Sequence, residues 1–350
     1  MQTSLFTSRF SFGPVFAMMG AAVVSAAFSW YAKCHWQVES EFFGEALRIS
    51  ERYAQGLRIN NHRLCIIFGG STSRSSYIPS VLFDQYGIPA VNFGLHAGFG
   101  RDIITEIAMS EARKGDTVVI ALEPDYFTAR TDPPIPSGGI DFFLYVRGIS
   151  FRRNAFFSLS PMRFPDFFFG NTRYNLFQTM KRIRRMKPYR YVASENLHDD
   201  GWMEVFERRH FPRSDASASL RTPRLGSAGR SLLLRIRNEC ERRGCRVVLQ
   251  IPPRLDDNPN ARLRYAMLVR DILPILPVVK DPLLGINPHA DEFADTPQHP
   301  LRTGALRATH SFGEAFANGR FWTESEIDAV IGRSRYGDRI EAALEAHEEE

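Results

Sequence analysis

Gly69-Gly70-Ser71 closes a short apolar run, Leu64-Cys65-Ile66-Ile67-Phe68. Two glycines let the backbone turn sharply and keep side chains away from the hydroxyl, so Ser71 would stand exposed where a strand ends. A serine hydroxyl is a weak nucleophile until a base takes its proton. The fitting base is a histidine oriented by a carboxylate. Among nine histidines, His299 is the strongest candidate, because Asp295 lies four positions before it in Asp295-Thr296-Pro297-Gln298-His299. That spacing lets both side chains enter one cleft, the carboxylate receiving the imidazole N–H. The chemistry would be nucleophilic catalysis. The competing reading is a turn capped by Asp295 ahead of Pro297, with His299 merely exposed. Ser73 is a rival nucleophile, and His96 and His310 are rival bases.

To bring positions 71 and 299 together, the chain needs a sheet whose strand ends share one edge. Strands are expected at Leu64–Phe68, Ala90–Phe93, Thr117–Leu122 and Arg246–Ile251, with a last strand region at Val278–Leu284 delivering the Asp295–His299 segment. Helical periodicity marks Glu39–Gln55, Ile78–Tyr86, Arg101–Lys114, Arg230–Arg243 and Ala261–Leu273, with Ser71–Ser76 read as a polar turn. Five-residue apolar strands alternating with helices predict an α/β fold, a parallel sheet with helices on both faces. In such sheets ligands collect at the carboxyl ends of the strands.

The chain has 350 residues, 44% hydrophobic and 24% charged, with a formal charge of +5. This excludes wholesale disorder and collagen-like structure, and the charge excess lacks the sharp basic footprint of a dedicated nucleic-acid binder. Phe12–Ala32 carries no charge and is long enough to cross the hydrocarbon core, and Trp30, Tyr31 and Trp36 sit at its far end as an aromatic belt. It is read as an uncleaved anchor, with a cleaved signal peptide and a buried core helix as the competing readings, and the flanking charges do not decide its orientation. Val146–Arg190 holds eleven basic residues, one acidic residue and ten aromatics. It reads as an insertion, either a solvated excursion packing its Phe residues on the body or a surface for anionic headgroups or an acidic polymer. Ser214–Ala228 reads as a loop, and the tail from Thr323 as helical, with Thr323 and Glu326 spaced as a capping box. Four cysteines make neither a disulfide scaffold nor a metal set, although Cys240 and Cys245 could pair in an exported domain. No metal set, phosphate loop or dinucleotide fingerprint is present, and no cofactor is expected.

Three segments resemble, in order, the blocks of the SGNH (GDSL-like) hydrolase superfamily, especially its membrane-anchored, polysaccharide-associated relatives. Ile67-Phe68-Gly69-Gly70-Ser71-Thr72-Ser73 resembles the nucleophile block. Val91-Asn92-Phe93-Gly94-Leu95-His96-Ala97-Gly98 resembles the block carrying an oxyanion-hole glycine. Phe293-Ala294-Asp295-Thr296-Pro297-Gln298-His299, followed by Gly304, Arg307 and Thr309, resembles the acid–base block, and Gly115–Ile120 through Glu123-Pro124-Asp125-Tyr126 fits the same relatives. The sequence departs from the family pattern in having Gly70 where an aspartate is usual, three residues between Asp295 and His299 rather than two, and no asparagine block, Asn92 being a positional substitute.

The resemblance implies a flavodoxin-like, three-layer parallel sheet. The chain as a whole reads as an anchor at 1–36, a helical connector at 37–61, an α/β domain at 62–322 with the insertion at about 146–228, and a helical tail at 323–350. The resemblance assigns Ser71 as nucleophile, His299 as base and Asp295 as orienting carboxylate. The oxyanion and substrate-binding set would be Gly70, Asn92, Gly94 and Gly98, together with the Ser71 N–H. The implied activity is removal or transfer of O-acyl groups on an exported or cell-wall polysaccharide by an esterase or acetyltransferase. The implied location is the cytoplasmic (inner) membrane, with the domain periplasmic or extracellular. The alternative is a non-catalytic tethered accessory of the polysaccharide synthesis or export machinery. Nucleic acid is not an expected partner.

Overall fold

The structure is a computed structural model describing residues 13, 16–24, 27, 38–147, 194–206, 224–255, 261–294 and 296–333. Four strands, β1 (Cys65–Phe68), β2 (Ala90–Asn92), β3 (Thr117–Ile120) and β4 (Arg246–Leu249), form a parallel sheet in the order β2-β1-β3-β4. Cys65 is in register with Ala90 on one side and Thr117 on the other, and Ile120 with Leu249.

Strand periodicity distributes the core. Along β1, Cys65 and Ile67 face one apolar cluster while Ile66 and Phe68 face the other. The first face is covered by α3 (Pro79–Tyr86) and α9 (Arg302–Ala317), through Leu82, Phe312 and Ala315. The second is covered by α1 (Val38–Ile59), α4 (Arg101–Glu111), α7 (Ser227–Arg243) and α8 (Ala261–Ile272), through residues such as Phe43, Leu47, Ile104, Leu232, Ile236 and Leu268. With both faces covered, the strands are mainly apolar rather than alternating, interrupted by Asn92, Thr117 and Arg246. Each buried Ile, Phe or Leu contributes about 1.5–3 kcal/mol.

Two stretches differ from the sequence expectation, and a third was given none. Ser71–Ser76 is a helix, α2, with all six residues buried. Serine is a poor helix former, because its hydroxyl competes for backbone groups. Here Ser75 Oγ bonds the Ser71 and Thr72 carbonyls, and Asn92 Nδ2 bonds the carbonyls of Ser73 (2.8 Å), Arg74 (3.3 Å) and Tyr77 (2.8 Å). Tertiary contacts therefore outweigh propensity. Val278–Leu284 is not a full strand: Val278 and Val279 make single bridges to Leu249 and Phe321, and the chain turns at Leu284 with φ 54°. A separate two-stranded ladder pairs β5 (Arg254–Leu255) with β6 (Ile286–Asn287). Finally, α9 is a sixteen-residue helix despite Gly304 and Gly313. A Cβ at Gly313 would lie 2.7 Å from Tyr86 Cε2, so the glycine admits α3 rather than breaking α9.

The helices α5 (Asp125–Thr128), α6 (Ser137–Arg147) and α10 (Glu324–Gly332) complete the described body. Thr323 and Glu326 form the expected capping box at the start of α10. Within the expected insertion, 148–193 and 207–223 lie outside the described residues. The intervening 194–206 segment packs on α2 and α3: Trp202 Nε1 donates to Ser75 O, and Ser80 N and Oγ donate to Asp200. Most of the Ser214 loop expectation, Cys34 and the tail beyond 333 also lie outside the described residues. Cys240 and Cys245 are free thiols, Cys245 Sγ donating to Arg113 O.

Among the described residues no helix is long and apolar enough to cross a membrane. The expected crossing segment, Phe12–Ala32, is described at 13, 16–24 and 27, which are helical and exposed, with Phe16, Met18, Met19, Val23 and Val24 the large apolar side chains.

Asp116 fastens the start of the sheet. Its buried carboxylate accepts from Leu64 N and Arg113 N, both at 2.8 Å, and from Arg58 at 2.6 and 3.3 Å. It thereby ties β1, β3 and α1. Asp116→Asn keeps the shape but loses the charge partner of Arg58 and replaces an acceptor with a donor. We expect a loss of about 2–3 kcal/mol in urea unfolding; a midpoint equal to wild type would refute this role.

Candidate active site

β1 lies between β2 and β3, so the chain leaves the carboxyl ends of β1 and β3 toward opposite faces. A crevice opens where such connections part. Ser71, the first residue of α2, sits at that edge. Gly69 is obligatory there, because a Cβ would overlap the Ala121 carbonyl and the Ser73 hydroxyl.

Ser71 Oγ lies 2.9 Å from His299 Nε2, across 228 positions of sequence. Both residues are buried, at 8% and 7% exposure, so the pair has little competition from water. With the imidazole neutral and its proton on Nδ1, the serine hydroxyl donates to Nε2, the arrangement a general base requires. The loop carrying His299 is fixed on three sides. Leu255 N donates to Pro297 O (2.7 Å), Ala294 N to His299 O (2.9 Å), and Leu301 N to Glu292 O (2.7 Å). Glu292 is in turn bonded by Arg307 and Asn287. The Arg307 guanidinium and the Asn287 amide outweigh its burial and hold its carboxyl below the usual glutamate range.

The rivals are engaged elsewhere. Ser73 is fully buried and donates to the Ala121 carbonyl. His96 Nδ1 accepts from Gly98 N at 3.1 Å, and His310 Nδ1 meets the Tyr86 hydroxyl at 2.9 Å. Asp295 lies outside the described residues. Of the expected oxyanion set, Asn92 spends its amide nitrogen on the α2 carbonyls, and its Oδ1 accepts from Gly94 N at 2.9 Å. Gly98 N is bonded to His96. The Ser71 N–H, at the first position of a helix, has no intrahelical acceptor and remains a candidate donor. Among the described residues no group of three or more His, Cys, Asp or Glu is gathered as metal ligands would be.

One residue of the site had no role in the sequence reading. Glu123 follows β3 and places its carboxyl against Gly70. Burial raises its pKa despite nearby groups that favour the anion, namely the Thr72 hydroxyl, the Gly70 backbone and His299. Burial, and then the Glu123 carboxylate, also push the Tyr126 phenol up. The sequence signal was an acidic residue three positions after the mainly apolar strand Thr117–Ile120, on the edge that carries the serine. Beyond it, Arg254 on β5 pairs with Asp125 at 3.5 Å.

A Cβ at Gly70 would overlap Glu123 Oε1 and lie 2.7 Å from its Cδ. Gly70→Ala should therefore cost about 1–3 kcal/mol by overpacking. Gly56→Ala in α1, where a Cβ meets nothing within 4 Å, should be neutral or stabilising. Urea unfolding of both variants checks this, and equal midpoints would remove the contact.

Comparison with protein-family models, with curated proteins and with solved structures gives no match in any of the three.

Proposed function

We propose that this chain is a serine-dependent acyl esterase or O-acyltransferase of the SGNH type, tethered to a membrane and acting on an exported or cell-wall polysaccharide. The observation that carries the proposal is the 2.9 Å contact between Ser71 Oγ and His299 Nε2 at the carboxyl edge of a parallel sheet. The strand order β2-β1-β3-β4 fits the flavodoxin-like arrangement that the sequence resemblance implies.

In this reading His299 takes the Ser71 proton as Oγ attacks the ester carbonyl. The Ser71 N–H meets the developing oxyanion, and His299 returns the proton to the leaving alcohol. Water or a sugar hydroxyl then attacks the acyl-enzyme and regenerates Ser71. Water gives an esterase, sugar a transferase. Asp295 is the proposed orienting carboxylate. The exposed apolar side chains of Phe16, Met18, Met19, Val23 and Val24 are consistent with tethering through 12–32.

A second reading, a non-catalytic polysaccharide accessory, is favoured by the internal engagement of Asn92, Gly94 and Gly98. Hydrolysis of a chromogenic acetyl ester by the full chain in mild detergent separates the two. Turnover that depends on both Ser71 and His299 supports the enzyme, and its absence in wild type supports the accessory.

A further inference from the structure

We propose that Glu123 is a positioning residue for the nucleophile: its carboxyl fills the side-chain space left open at Gly70 and holds the Gly70–Ser71 turn so that the serine hydroxyl stays on His299. This rests on the acyl-transfer reading and deepens it. Glu123 leaves the end of β3, the strand paired with β1 through Ile120 and Phe68. Its side chain thus reaches the nucleophile turn from the neighbouring strand end. It is 6% exposed, and neither carboxyl oxygen meets a partner at hydrogen-bond geometry. The Thr72 hydroxyl beside it is likewise buried and unmatched.

The groups facing the carboxyl are few. His299 faces it across the site, Tyr126 from the short helix that follows it, and Thr72 and the Gly70 backbone from the turn. Among the described residues no lysine or arginine pairs with it. A buried anion without a cation is costly, so burial favours the neutral acid. Burial is the largest influence and raises the pKa. Folding favours the protonated acid, so the benefit is complete below the ordinary glutamate range and is lost as pH rises through the raised value. Once ionised, the carboxylate draws in water or leaves Gly70. It also sets a negative charge near the place where an oxyanion must develop.

A fluorophosphonate probe tests this in the full chain. Ser71 Oγ attacks phosphorus, fluoride leaves, and the hydroxyl proton passes to His299. The labelling rate is followed from mildly acid to alkaline pH for wild type, Glu123→Gln and Glu123→Ala. Above the Glu123 pKa the wild-type rate should fall about tenfold per pH unit. Glu123→Gln fills the same space and cannot ionise, so it should lose that alkaline decline. Glu123→Ala leaves the space empty and should be slower than Glu123→Gln by about tenfold at every pH. Coincident wild-type and Glu123→Gln profiles, or an alanine variant as fast as glutamine, would overturn the positioning role while leaving the acyl chemistry intact. Failure of wild-type Ser71 to label at any pH would remove the acyl chemistry itself, and this proposal with it.

Discussion

Ser71→Ala should reduce ester turnover by about 10³-fold or more, to the level of solvent hydrolysis, with the fold intact. Loss of a serine nucleophile removes the covalent route entirely, and a thousandfold corresponds to about 4 kcal/mol of lost transition-state stabilisation. The structural cost is small. Alanine keeps the Cβ, has the highest helix propensity, and leaves in place the Ser71 carbonyl that Ser75 Oγ bonds. What disappears is one hydrogen bond to His299, about 1 kcal/mol. His299→Ala should lose a comparable amount of activity, because a serine without its base is not activated. Acetyl ester hydrolysis alongside urea unfolding reads both effects. Equal turnover in wild type and Ser71→Ala would place any activity elsewhere.

Arg74→Leu should cost about 3–5 kcal/mol in stability, the largest structural loss expected from one substitution near the site. Arg74 is fully buried. Its guanidinium donates to the carbonyls of Gly94 (2.6 Å) and Gly201 (2.5 Å) and to Ser50 Oγ (2.8 Å). It therefore ties α2 to the loop after β2, to α1 and to the 194–206 segment at once. Burial pushes its pKa down to about 9, which still leaves it charged at neutral pH. Leucine would strand two carbonyls, each about 1–3 kcal/mol unpaired, while Ser50 Oγ keeps its bond to Asn92 O. Lysine keeps the charge but not the planar fork that serves three directions, so Arg74→Lys should recover a minor part of the loss. Urea midpoints for the two variants decide this; a change below about 1 kcal/mol for leucine would show that the network is dispensable.

How much was legible in the sequence followed from how local each signal was. The four core strands announced themselves because a strand buried on both faces is mainly apolar, as in Cys65–Phe68. Helices with an apolar stripe, such as Ala261–Ile272, were legible for the same reason. The Ser71–Ser76 helix was not, because its stability comes from Asn92, Arg74 and Trp202, at positions 92 and 202 and inside the helix itself. Nor was α9, whose glycines carry close packing rather than a stop. At the site, Ser71 and His299 were readable from residue type and from where strands must end. Asn92 was readable as a site residue by position but not in its engagement, since spacing does not say which way an amide turns. Glu123 escaped because nothing local marks a carboxylate as buried. The sequence places it after a strand, and the fold puts that strand beside β1.

Acyl transfer through Ser71 requires a covalent acyl-enzyme. After brief mixing of the full chain with an activated acetyl ester and acid quench, the tryptic peptide from Leu64 to Arg74 is fragmented in a mass spectrometer. That peptide holds Ser71, Thr72 and Ser73 together, so the fragment series distinguishes them. An acetyl group on Ser71, absent from His299→Ala, is the predicted result. An acetyl group on Ser73, or an unmodified peptide from a preparation that turns over ester, would contradict it.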